Sequence, residues 1–274
     1  MAKIFTIINQ KGGVGKTTTC VNLSAALGVL EHRTLLIDTD PQAHALLSFG
    51  IQPKDLKSPG LKYTRYESHI INSIISTPSQ NVDIIHLHDD FLSFDPSELS
   101  ETDKKSKFSQ TLKRLKKIYN YIIIDCTPFI NTNTFNILFA SEAIIIPIQC
   151  EYYSLEGLAK FLKTVRFIQK THNESLEIAG FLLTMHNERL KSSQHIVSEI
   201  QSYFGDLVFQ TIIHRNTHLG EAPGYGKSIF DHNISSKGAA DYLSLAVELV
   251  EKNNNTTKTN ESHLQQHYIP NSHN

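Results

Sequence analysis

Cysteine is scarce in this chain: three residues, Cys20, Cys126 and Cys150, among 274. They are widely spaced, odd in number and set among apolar neighbours, and no C-x-x-C or C-x-x-H spacing occurs. That excludes a disulfide framework and a zinc ribbon, and it points to reduced thiols in a core. Excess charge is missing too. The formal net charge is −1, so no chain-wide field attracts a polyanion, and a nucleic-acid surface would have to be a local patch. No apolar run reaches the ~18 residues that a membrane helix needs. The opening MAKIFTIINQ enters a strand pattern with no charged leader or long apolar core, which argues against a secretory signal. The 14 histidines are scattered, as solvated surface residues are.

What is present is a globular balance, 40% hydrophobic and 19% charged, in a chain long enough to bury a substantial core. Short apolar runs at 3–8, 34–38, 82–87, 121–125, 143–148, 178–184 and 207–213 read as strands. They are rich in Ile, Val and Phe without clean alternation, as parallel strands covered on both faces are. Between them lie helical patterns. Residues 155–170 place Leu155, Leu158, Leu162, Val165 and Ile168 on one stripe, with Lys160, Lys163, Arg166 and Lys170 elsewhere. This alternation predicts one α/β domain over residues 1–250, a doubly wound and mainly parallel sheet flanked by helices, with ligands at the carboxyl ends of the strands. Residues 51–81, which mix Pro, Gly and Ser with a short apolar segment around Ile70–Ile75, read as a loop plus one or two short helices. Residues 251–274, rich in Asn and Thr, read as a disordered polar tail.

The stretch IINQKGGVGKTTTCVNL, residues 7–23, follows the first strand and opens a helix. It resembles the phosphate-binding pattern G-x-x-x-x-G-K-[ST], but Gln10 stands where the first glycine belongs, and a second lysine, Lys11, follows it. Gly12, Gly13 and Gly15, with Val14 between them, let backbone N–H groups converge on an anion at the helix's positive end. Lys16 would contact the β- and γ-phosphates, the Thr17 hydroxyl would ligate Mg²⁺, and Thr18 follows in the same turn. Two carboxylate motifs accompany the loop. LLIDTDP puts Asp38 and Asp40 on one side of an extended chain, suited to hold a metal's water shell or orient an attacking water. YIIIDCTP ends a strand on Asp125, the form of a Walker B acid that organises Mg²⁺.

These segments, with IPIQCEYYSLEGL, GFLLTMHNERL and RNTHLGEAPGYGKSIFDHNISSKGAADYLSLA, resemble the ParA/Soj-type partition ATPases of the deviant Walker A group, the superfamily that contains MinD. The resemblance spans about residues 1–250 and implies a P-loop NTPase of the SIMIBI type using ATP and Mg²⁺. It implies that the first loop position need not be glycine, and that Lys11 crosses a dimer interface to the phosphates of ATP in the other subunit. By the same resemblance Asp40 positions the hydrolytic water, Asp38 supports it, and Asp125 is the Walker B acid. Implied metal-site residues are Thr17, Asp40 and Asp125. Implied partners are a second copy of the chain when ATP is bound, a ParB-like centromere-binding protein and non-specific DNA, with no membrane. A slow, partner-stimulated hydrolysis and a cytoplasmic, nucleoid-associated location go with them.

For DNA, Arg189 matches a family position, and Lys191, Arg215, Lys227 and Lys237 are further candidates. His218 stands where the family usually has arginine, which takes a permanent charge away from one phosphate contact. His214, Thr127, and Ala43 with His44 replace the usual proline, proline and Gly-Asn. The resemblance is weak over 58–120. A MinD-like or other cargo-positioning ATPase acting without DNA is the alternative. Against a membrane version stands the tail, which has only Leu264, Tyr268 and Ile269 as apolar residues, unlike a basic amphipathic anchor. An iron–sulfur reductase on the same scaffold needs a cysteine pair that Cys126 and Cys150 do not suit, and a tyrosine kinase needs a C-terminal tyrosine cluster. With Lys11 so near the start, no operator-reading domain is expected before the loop.

Overall fold

The computed structural model describes residues 2–53, 71–87, 107–151 and 157–266. Its centre is a seven-stranded sheet. In chain order the strands are β1 (Lys3–Ile7), β2 (Thr34–Asp38), β3 (Ile75–Ser76), β4 (Val82–His86), β5 (Tyr121–Asp125), β6 (Ala143–Gln149) and β7 (Glu177–Thr184). Their spatial order is β3-β4-β2-β5-β1-β6-β7, and every pairing is parallel except β3 with β4. The helices used below are α1 (Lys16–Val29), α2 (His44–Leu47), α3 (Lys107–Leu115), α4 (Thr132–Ala140), α5 (Leu158–Thr171), α6 (Lys191–Phe204), α7 (Thr217–Glu221), α8 (Ile229–Asn233) and α9 (Lys237–Gln266).

The absence of alternation in the strands has its counterpart in two cores. On β5, Ile122 and Ile124 face one apolar cluster with Phe161, Val165 and Ile168 of α5, whereas Ile123 faces another with Leu23 and Leu27 of α1 and Leu245 of α9. Successive side chains of a strand point to opposite faces, so a sheet covered on both sides needs apolar residues at every position. Phe161, which the sequence stripe omits, is fully buried beside Leu158, Val165 and Ile168; Leu155 lies outside the described residues.

Three expectations need correction. The run 207–213 is not a strand. It follows β7 through Phe209 N to Phe181 O (3.0 Å) and Ile213 N to Leu183 O (2.9 Å). The amides of Gln210 and Thr211 donate instead to the Glu248 carboxylate of α9, each at 2.9 Å, so no continuous ladder forms. Within 51–81, the described part includes the short antiparallel strand β3, while most of the expected loop falls outside the described residues. Finally, α9 continues past residue 250 to Gln266, where the sequence suggests a disordered tail. Once packing has nucleated a helix, each added residue contributes its own hydrogen bond, so weak formers such as Asn and Thr can extend it.

The loop leaving β2 contains a strained residue. Ala43, at the N-cap of α2, has φ 51° and is 1% exposed. The left-handed region costs a residue with a Cβ about 1–2 kcal/mol, and glycine escapes that cost. Losing one buried methyl costs about 0.8 kcal/mol in return. Ala43→Gly is therefore expected to raise the melting temperature slightly, by about 1–3 °C for a domain of this size, measured calorimetrically without nucleotide; a clear drop would contradict the strain.

Candidate functional site

Strand register brings the three motifs together. Ile7, the last residue of β1, is level with Asp125 on β5, and Asp125 is level with Asp38 on β2. Both carboxylates thus lie at the carboxyl ends of neighbouring strands, beside the loop that runs from β1 into α1.

That loop is held at both ends. Asn9 donates through Nδ2 to Pro147 O (2.7 Å) and accepts from Lys11 N (3.0 Å). The Thr184 hydroxyl at the end of β7 donates to Val14 O (2.9 Å). Gly15, with φ 87°, is the N-cap of α1, a backbone state that any Cβ would strain. The helix start has no side-chain cap and no acidic residue in its first turn. Its orphan N–H groups and positive dipole end are left to an anion, which is what a polyphosphate requires.

Lys16 is 8% exposed and donates through Nζ to the Lys11 carbonyl (2.9 Å). Burial lowers its pKa, opposed first by the charge of Asp125. Lys11 is half-buried, next to the exposed Gly12 and Gly13. Thr17 and Thr18 line a cavity of about 380 Å³ with Asn22, His44, Pro223 and Lys227.

The carboxylates divide their work. Asp38, fully buried, accepts from Asp40 N and Leu46 N, both at 3.0 Å, so it shapes the loop that carries Asp40. Burial pushes its pKa up, with His86 pulling the other way from 3.9 Å. Asp40 is half-exposed and accepts from Gln42 N (2.9 Å). Asp125 is 1% exposed; one oxygen receives the Cys20 thiol at 3.4 Å, and Oδ2 is buried with no hydrogen-bond partner among the described residues. Burial first, and Asp38 next, raise its pKa to about 7, while the Thr17 hydroxyl and Cys20 thiol oppose the rise. A buried carboxylate with an unmet oxygen, a neighbouring acid and Thr17 at hand forms a donor set that fits a hard divalent cation. Burial also pushes the Cys126 thiol up to about 12 and Cys150 to about 11. All three thiols are free and buried, and those of Cys126 and Cys150 stay protonated at neutral pH.

Several contributors escape sequence reasoning. Asn9, Thr184, Cys20 and His86 act through partners distant in sequence. Met185, just after β7, has φ 53°, and its terminal methyl approaches Gly15. A residue with a side chain in that region marks imposed strain, and no sequence signal announces it.

The cationic candidates are only partly gathered. His214 ties several together: its ring pairs with Glu188 and with Asp241, both at 2.9 Å. Arg189 follows Glu188, Lys237 pairs with Asp241 at 3.4 Å, and Arg215, next to His214, pairs with Glu151 at 3.3 Å. Lys191 begins α6. His218 lies on α7, 3.3 Å from Glu221, and Lys227 instead lines the cavity beside Thr17.

Comparison with known proteins agrees with this architecture. A family model described as an AAA domain matches residues 2–178. The chain is similar to the sporulation initiation inhibitor protein Soj of Bacillus subtilis, 41% identical over 91% of this chain and 98% of that protein. It is similar to the chromosome partitioning protein ParA of Myxococcus xanthus, 36% identical over 92% and 89% of the two chains. Among solved structures it is similar to cobyrinic acid a,c-diamide synthase from Mycobacterium smegmatis with bound ADP and magnesium. That match has a TM-score of 0.73 at 26% identity, covering 91% and 94% of the chains.

The raised pKa of Asp125 sets a sign for stability. In the unfolded chain an aspartate titrates near ~3.9, and in the fold near about 7. The contribution is complete below about pH 4 and is lost as pH rises through about 7, because the unfolded state releases its proton first. Without nucleotide or metal, Asp125→Asn is expected to melt higher than wild type at about pH 8, with the advantage vanishing near pH 4. Melting curves across that range test this; a constant difference between the two proteins would refute the assignment.

Proposed function

Because the chain belongs to the Soj/ParA family of partition ATPases, we propose that it is an ATP-dependent dimerising switch that segregates plasmid or chromosomal DNA. The observation that carries this reading is the meeting of two lysines at one phosphate-facing turn. Lys16 is buried and aimed into the loop, while Lys11 is half-buried at its rim, with its carbonyl bound by Lys16 and its amide by Asn9. One cation already serves the loop's own phosphates. A second on the rim suits the phosphates of a facing subunit, and two ATP molecules brought face to face need that neutralisation. Dimerisation then depends on nucleotide by mass action.

In this reading the loop amides and Lys16 bind the β- and γ-phosphates. Thr17 and Asp125, with Asp40 nearby, would hold Mg²⁺, which when bound supplies neutralising charge at the transferred phosphoryl group. Asp40, at the half-exposed mouth, orients the attacking water, and Asp38 holds the Asp40 loop from beneath. Hydrolysis is slow and acts as a timer, and a ParB-like partner stimulates it. Arg189, Lys191, Arg215, His218, Lys227 and Lys237 supply non-specific DNA contacts in the ATP dimer, which places the protein on the nucleoid in the cytoplasm. No helix among the described residues is long and apolar enough to cross a membrane.

Sedimentation with ATP and DNA tests the switch. Wild type should dimerise with ATP and co-sediment with DNA, Asp40→Ala should persist as a DNA-bound dimer, and Lys16→Ala should stay monomeric. Monomers free of DNA in every case would sink the reading. Binding should also weaken steeply with salt, each phosphate contact adding about −0.9 to the slope of log K against log salt. Arg215→Ala with Lys237→Ala should flatten that slope by about 2; a wild type indifferent to salt would remove the DNA surface.

A further inference from the structure

Away from the phosphate loop, a cluster of side chains has the chemistry of a metal site. His218 and Glu221 lie one turn apart on α7, and His232 lies on α8. The Glu221 carboxylate oxygen Oε2 is 3.3 Å from His218 Nδ1 and 3.8 Å from His232 Nε2. The three candidate ligand atoms all fall within 4.8 Å of one another. His218 Nδ1 is buried and has no hydrogen-bond partner among the described residues, so the nitrogen turned toward the cluster is unsatisfied.

The surroundings hold both imidazoles in place. The Asn233 side-chain amide is 3.3 Å from His218 Nε2. The near atom is Nδ2, a donor. In that arrangement Nε2 accepts and the ring proton sits on Nδ1. Uptake of an ion at Nδ1 would move the proton to Nε2, and a half-turn of the amide would then present Oδ1 to accept it, the second partner that ligating histidines commonly have. Tyr225 stacks on the His232 ring at 5.0 Å between centroids and 26° between planes. The histidine–acid cluster around His214 differs. His214 has both ring nitrogens engaged, with Asp241 and Glu188 at 2.9 Å, and needs nothing further.

We propose that His218, Glu221 and His232 form a binding site for a divalent transition-metal ion of the Zn²⁺ type. Bond lengths of about 2.0–2.2 Å to a tetrahedral ion separate neighbouring ligand atoms by ~3.3 Å, so the present spacings need only small side-chain rotations. Two imidazoles and one carboxylate, with water in the fourth place, select Zn²⁺ and its neighbours over Mg²⁺ or Ca²⁺, which prefer all-oxygen shells. Half-exposed His218 and exposed Glu221 (side chains 40% and 55% accessible) give the ion a path from solvent. Once bound, it staples α7 to α8 across the turn Ala222–Tyr225. Ala222 and Pro223 of that turn line the cavity next to Thr17 and Thr18, so the staple stiffens one wall of that cavity. The ion also places two positive charges beside residue 218. Any effect of that charge on DNA rests on the function proposed above; the site itself does not, and metal uptake is measured without DNA.

The experiment is calorimetric titration of ZnCl₂ into the untagged, nucleotide-free full chain, with MgCl₂ in excess to occupy the carboxylate site. Wild type, Glu221→Gln and His232→Asn are compared, their folding verified by circular dichroism. Wild type should take up one equivalent that both variants bind at least ~10-fold more weakly. Co²⁺ should give the visible d–d absorption of a tetrahedral site in wild type and lose it in the variants. Equal uptake by all three proteins, or no Zn²⁺ equivalent specific to wild type, would overturn the proposal. If His232→Asn does not fold, Glu221→Gln alone decides.

Discussion

Two carboxylates buried side by side, Asp38 and Asp125, are the constraint on which the rest of this structure depends. Strand register fixes them level with each other, and the apolar layers on the two faces of the sheet leave them 0% and 1% exposed. Such a pair raises the cost of its own ionisation. The fold answers with different partners: Asp38 receives two backbone amides, whereas Asp125 keeps one oxygen unmet. The first shapes a loop, and the second keeps an oxygen with which a cation could pair. Lys16, itself disfavoured by burial and favoured by Asp125, completes the balance.

Much of this was legible in sequence because its causes are local. Strands β2 and β5 end where the apolar runs TLLID and YIIID end, and the glycine-lysine-threonine turn opens α1 as its spacing requires. The doubly wound sheet follows from alternating patterns, and strand register sets Asp38 and Asp125 level beside the glycine-lysine turn. Illegible features depend on remote partners. The apolar run 207–213 has strand composition, but Glu248 of α9 removes two amides from any ladder. The Asn- and Thr-rich segment after 250 lacks a helical signature of its own and inherits helix from the packed turns before it. His86 and Cys20 have no motif; they matter because β4 and α1 bring them against Asp38 and Asp125.

Departures from the family pattern also acquire physical content. Ala43, where glycine is usual, keeps the glycine-like backbone and bears the strain. Thr127, where proline is usual, bonds weakly to the Phe129 carbonyl at 3.4 Å and lacks the fixed φ that a proline would impose on the chain after Asp125. His214, another replacement for proline, becomes a junction between β7's extension and α9 through Glu188 and Asp241. None of these changes falls within the glycine-lysine loop between β1 and α1.

The Thr184 hydroxyl, bonded to Val14 O, joins the tip of the phosphate loop to the end of β7. Beyond it the chain passes through strained Met185 to His186, whose backbone pairs with Ile213 and Arg215. This hydroxyl, with the Met185 methyl near Gly15, thus stands between the glycine-lysine loop and the strand end that leads to His214 and Arg215. Coupling through such a contact is reciprocal. By whatever factor an occupied loop changes that end's affinity for a ligand, the ligand changes the loop's affinity for nucleotide. Thr184 would in this sense be a two-way element, since any coupling carried by its hydrogen bond acts on both ends alike.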